Sequence, residues 1–178
     1  MATERLSTRG MIYASLFGAL TAMGALISIP LQPVPVTLQT LFLYLAGSLL
    51  GGGLGALSQT VYIMLGVIGL PVFSGGKAGL GVLMGPTGGY LVGFVAGAFV
   101  TGKIARLRPD GGLLWLVSAM LAGTAALYAL GVLQLALVGR LSLAKAAAAG
   151  VLPFLPGDAL KIAAASVIAL KVRDRIRI

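Results

Sequence analysis

From Leu113 to Val138 the chain carries no charged side chain at all. A run of that length suffices to cross the ~30 Å hydrocarbon core of a bilayer, which takes about 20 residues of helix. Within lipid every backbone N–H and C=O has to find its partner inside the protein, so such a run is helical. The remainder of the chain has the same character: 58% of its 178 residues are hydrophobic and 10% charged, with a mean hydropathy of +1.04. These values lie outside the range of soluble domains and define an all-α integral membrane protein. Its 27 glycines suit lipid-embedded helices, where small side chains let backbones approach closely.

Five further apolar runs predict six spans in all, forming a single transmembrane domain over residues 1–178. Arg5 and Arg9 precede the first, Met11 to Ile29, which is too long for the apolar region of a secretory leader and lacks a small-residue cleavage site. Pro30, Pro33 and Pro35 then impose an irregular loop. The second span is expected from Val36 to Leu50, a turn at Gly51–Gly53, and the third from Leu54 to Leu70. Pro71 to Tyr90 is too rich in glycine and proline for a membrane helix and too apolar for a solvated linker, so it is expected to fold over the bundle. The fourth span is placed at Gly88–Ile104 and the fifth at Leu113–Val138. A short helix is expected near Leu143–Val151 and a sixth span from about Asp158. Six spans put both termini on one side. Arg5, Arg9, Lys103, Arg106, Arg108, Lys171, Arg173, Arg175 and Arg177 fall on that side, against Lys77, Arg140 and Lys145 on the other. The positive-inside rule makes the basic side cytoplasmic, and the long irregular loops external.

The absence of cysteine and histidine removes disulfides, thiol chemistry, Cys/His metal sites and imidazole catalysis together. The net charge of +9 lies in short flanks of spans with no aromatic interleaving, which speaks for bilayer orientation rather than nucleic acid. The GGKAGLG segment at Gly75–Gly81 does not match the phosphate-loop spacing, and no acidic residue stands ready for magnesium. Of the acidic residues, Glu4, Asp110 and Asp174 lie in flanks or turns, so Asp158 is the one carboxylate within an apolar region. Lys161 follows three residues later, on the same face of a helix. Two readings of this pair remain open: Asp158 caps the last helix with Lys161 as its salt-bridge partner, or the pair meets a ligand, the carboxylate accepting and the amine donating hydrogen bonds. Ala14, Gly18 and Ala22 recur every fourth residue and suit close packing, either against the chain's own helices or against a separate membrane subunit.

Four motifs, QPVPVTLQT at 32–40, GLPVFSGG at 69–76, GPTGGY at 85–90 and PGDALK at 156–161, occur in this order across nearly the whole chain and resemble the BioY family, the biotin-binding S components of energy-coupling factor (ECF) transporters. The resemblance implies an S-component bundle of six helices with structured outer loops. It also implies capture of biotin near the outer face of a bacterial or archaeal plasma membrane, with no cofactor and no enzymatic step of its own. The partners it implies are a transmembrane coupling subunit and two cytoplasmic ATPases. On the same footing Asp158 and Lys161 match the family's polar pair, Gln39 and Tyr90 match motif positions, and Val36 and Phe73 are candidates to surround the valeryl chain. Lys77 is a weaker candidate for the vitamin's carboxylate. Ala14, Gly18 and Ala22 become candidates for docking the coupling subunit. Rival readings are an S component for thiamin or riboflavin, and a ligand-free membrane scaffold.

Overall fold

The computed structural model describes residues 7–176; Glu4, Arg5 and Arg177, which entered the charge argument above, lie outside the described residues. Helix α1 (Thr8–Leu26) opens with the Ser7 hydroxyl accepting from Gly10 N at 3.0 Å. Two short antiparallel strands follow, β1 (Ser28–Ile29) and β2 (Val36–Thr37), paired Ser28 to Thr37 and Ile29 to Val36. Next come α2 (Gln39–Leu50), α3 (Gly52–Val67), a five-residue helix α4 (Leu80–Met84) and α5 (Gly88–Leu107). The chain closes with α6 (Leu113–Gly139), α7 (Leu143–Gly150), α8 (Leu155–Val172) and a single 3-10 turn.

Among the described residues, six long helices and two short ones thus stand where six spans were expected. By length and apolarity α5 and α6 each suffice to cross a membrane alone, and α7 with α8, bent by 55° at their junction, are long and apolar enough only when taken together. The second span is shorter than expected. Val36 and Thr37 are extended and paired with β1, so α2 begins only at Gln39 and its 12 residues reach about 18 Å, short of the hydrocarbon core. The third helix ends at Val67 rather than Leu70, since Gly69 takes a left-handed φ of 109°.

Packing follows the small residues. On α5, Gly89, Gly93 and Gly97 face α6 so closely that a Cβ on Gly93 would stand 2.7 Å from Leu127 O and one on Gly89 2.4 Å from Leu130 O. The turn between α2 and α3 rests on Gly51, at φ 84°, with the Arg106 guanidinium filling the space a side chain would need. Ala14 and Gly18 of α1 are buried, and a Cβ on Gly18 would lie 2.9 Å from Ser58 O of α3. Of the two readings left open for that stripe, the structure realises packing within the chain. The outward face of α1 carries Ile12, Ser15, Leu16, Ala19 and Met23 instead, with Ala22 half-buried beside it. Large exposed side chains over the bundle are apolar, among them Leu114, Leu121, Leu133, Leu137 and Leu160, as a lipid-facing surface requires.

Candidate functional site

Asp158 lies inside α8, not at its cap. The helix starts three residues earlier with Phe154 as N-cap and Pro156 in the first turn, and Asp158 N already bonds to Phe154 O at 2.8 Å. The capping reading is therefore set aside. At this first turn the carboxylate is favoured by the helix dipole, and it is only 5% exposed. Lys161, 7% exposed, approaches it at 2.5 Å.

Two other helices complete the cluster. From α2, the Thr40 hydroxyl donates to Asp158 Oδ1 at 3.0 Å and accepts from Lys161 Nζ at 2.7 Å. The carbonyl of Thr37, held by β2, accepts from the same Nζ at 3.0 Å. From α6, the Tyr128 hydroxyl donates to Asp158 Oδ2. An ammonium has three donors and a carboxylate roughly four acceptor positions. Each donor of Lys161 already has an acceptor, whereas Asp158 Oδ2 keeps a lone pair beyond Tyr128. What this pair offers a visitor is an acceptor, and the expectation that the Lys161 amine donates to a carbonyl or carboxylate of a ligand does not fit its saturated geometry.

The pair faces a cavity of about 520 Å3, within the size range of small-molecule sites. The loop carrying β1 and β2, the segment from Phe73 to Thr87, and helices α2, α5, α6 and α8 wall it. Asp158, Lys161, Gln39, Tyr90, Phe73 and Lys77 all line it; Val36 does not. Side chains alternate along a strand, and Val36 turns toward α8, where its Cγ1 would lie 3.8 Å from a Cβ on Gly157. Val34 and Pro35 stand at the cavity in its place.

The remaining predicted residues have distinct duties. Gln39 Nε2 donates to the Tyr62 hydroxyl at 2.6 Å, and its Oε1 accepts from Thr37 Oγ1 at 2.8 Å. One amide N–H of Gln39 is left over for the cavity. The Tyr90 hydroxyl is taken by Gly150 O at 2.8 Å, so Tyr90 offers the cavity its ring while pinning α7 to α5. The Phe73 ring stands edge-on to Tyr62 at 5.7 Å and fills the notch at Gly66, where a Cβ would come within 2.2 Å of it. It moors the loop to α3 while forming part of the wall.

Thr37, Thr40, Tyr128 and Ser74 were missed from the sequence, although all four line the cavity. A signal existed for Thr40, which belongs to the same TLQT motif as Gln39. Tyr128 is the single tyrosine of the longest apolar run, and a phenol at that depth needs a partner. The apolar wall comes from Leu91, Phe94, Leu127 and Phe154.

A model of the BioY family matches residues 1–178. A relative named "Biotin transporter BioY" from Thermotoga maritima is 44% identical over 165 residues, covering 93% of this chain and 96% of that protein. Another of the same name from Rhizobium etli is 42% identical over 173 residues, 92% of each. Among solved structures, a crystal structure titled as the S-component for biotin from an ECF-type ABC transporter matches with a TM-score of 0.85 at 27% identity, over 98% of this chain and 95% of that one. With the motifs, the bundle and these matches in agreement over essentially the full length, the chain belongs to the BioY family.

Proposed function

We propose that this chain is the biotin-capturing membrane subunit of an ECF-type importer, embedded in the plasma membrane with its basic end cytoplasmic. One observation carries the reading: a buried carboxylate, fixed from three helices, keeps an acceptor position aimed into a small-molecule cavity. Biotin's cyclic urea has two N–H donors and one carbonyl. In this reading Asp158 Oδ2 takes a ureido N–H, and the spare N–H of Gln39 meets the carbonyl. Leu91, Phe94 and Leu127 cover the apolar remainder, while Thr40, Lys161 and Tyr128 hold the carboxylate in place. A thiamin-like cation or a large flavin ring lacks this pairing of donors with a single acceptor, and a scaffold protein has no use for the cavity.

Energy for uptake comes, in this reading, from a coupling subunit with two ATPases. The coupling subunit docks on the outward face of α1, through Ser15, Ala19 and half-buried Ala22, because Gly18 packs against α3 and Ala14 is buried in the bundle. One experiment tests both parts: thermal denaturation of the purified chain with and without biotin, alongside co-purification of the coupling subunit. Biotin at about a hundred times its Kd should stabilise the chain by about 2.7 kcal/mol. Ala19→Trp should preserve that shift and abolish co-purification. No shift with biotin, but one with thiamin or riboflavin, reassigns the ligand; retained co-purification in Ala19→Trp moves the docking face elsewhere.

A further inference from the structure

The carboxylates of the bundle are sorted to one end. Among the described residues Asp110 lies in the turn between α5 and α6 and Asp174 stands beside Arg173, both at the basic end, while Asp158 is neutralised by Lys161. Helix α6 runs from that basic end past Leu127 and Tyr128, in the cavity wall, to Arg140. At this cavity end Lys77, Arg140 and Lys145 are exposed, and among the described residues none of them forms an ion pair with a carboxylate. Three positive charges there stand uncompensated.

Two of the three stand clear of the cavity. Arg140, the C-cap of α6, lies about 18 Å beyond Tyr128 along the helix, Lys145 lies in the first turn of α7, and neither lines the cavity. Helix α7 is nonetheless fixed beside it, since Tyr90 of the cavity wall donates to Gly150 O at 2.8 Å. Lys145 is also poorly placed for stability. Its N bonds to the Ser142 hydroxyl at 3.4 Å, so it occupies the third position of the helix, where the dipole disfavours a cation and favours an acid. A charge held against the dipole, with no ion-pair partner and no place in the cavity wall, is left to act at a distance. Like charges around the opening of a low-dielectric cleft focus the field and raise the local concentration of an oppositely charged ligand.

We propose that Arg140 and Lys145 draw an anionic ligand toward the cavity, raising its association rate without contacting it once it is bound. This rests on the biotin reading above, in which the ligand carries one carboxylate, ionised at neutral pH, and it concerns arrival rather than recognition in the pocket.

The test is the association and dissociation rate of radiolabelled biotin, by rapid-mixing filtration in an uncharged detergent, for the wild type, Arg140→Asn, Lys145→Gln and Lys145→Glu. Each is measured at about 0.01 M and about 1 M salt, between which the screening length falls from about 30 Å to about 3 Å. Asparagine tolerates the left-handed backbone of Arg140, at φ 50°, and a glutamate at position 145 completes a capping box with Ser142. At low salt the association rate should fall about twofold for each unit of charge removed, and so about fourfold in Lys145→Glu. At high salt all four proteins should share one association rate, which also checks that the variants are folded, and the dissociation rate should be the same throughout. Equal association rates at low salt, a difference that persists at high salt, or a change in the dissociation rate instead overturns the steering role and leaves the biotin reading intact. A wild type that does not bind biotin overturns that reading and the steering with it.

Discussion

The two ends of the bundle handle polar groups in opposite ways. At the end bearing Arg106 and Arg173, cations are used up on main-chain carbonyls. Arg106 Nη2 donates to Leu50 O, the last carbonyl of α2, at 2.6 Å, and Arg173 Nη1 donates to Pro109 O and Gly111 O at 3.1 and 2.8 Å. Trp115 Nε1 bonds to Ile104 O at 3.1 Å, and Arg108 lies 4.8 Å over the Trp115 ring. These contacts satisfy carbonyls that helix ends leave open and tie short turns down. At the other end the polar side chains bond to one another around a cavity and keep acceptor capacity in reserve. The first arrangement holds a fold together. The second has room for something from outside.

Three substitutions separate these roles, in decreasing order of effect. Asp158→Asn removes the charge at nearly constant shape. It should weaken biotin binding by at least about a hundredfold and also destabilise the protein, because a buried ion pair that loses one partner leaves the other uncompensated at a cost of about 3–5 kcal/mol. Titration and thermal denaturation on one preparation measure both, and an affinity within threefold of wild type would show that the carboxylate does not meet the ligand. Tyr128→Phe deletes one hydrogen bond to that carboxylate and should cost about tenfold in affinity, as expected for a bond to a charged group. Arg106→Ala should lower stability by about 1 kcal/mol through the bare Leu50 carbonyl, without change in biotin affinity. An affinity loss there matching that of Tyr128→Phe would break the division between the two ends.

The long helices were legible because apolar runs between glycine, proline and charge breaks are a strong signal in a membrane chain. The start of α2 was not. Val36, Thr37 and Leu38 read as the opening of an apolar span, yet pairing with β1 holds Val36 and Thr37 extended, and the same pairing turned Val36 away from the cavity. Asp158 and Lys161 could be picked out because ionisable groups are conspicuous at depth, and Gln39 through its place in a family motif. Thr40 and Tyr128 could not be joined to them by spacing, since they meet Asp158 across 118 and 30 residues of sequence. The small-residue stripe on α1 was noticed, while Gly89, Gly93 and Gly97, at the same spacing, were not, although they bring α5 and α6 into close contact.

The buried acid and amine cancel each other. A zwitterion has no net charge, so carrying this cluster across the transmembrane field avoids the roughly 2.3 kcal/mol per 100 mV that a lone charge would cost or gain, and only the small dipole of the pair couples to the field when the bundle turns. The interior chemistry is in this sense voltage-blind, and motion of the bundle is left to whatever grips it from the side.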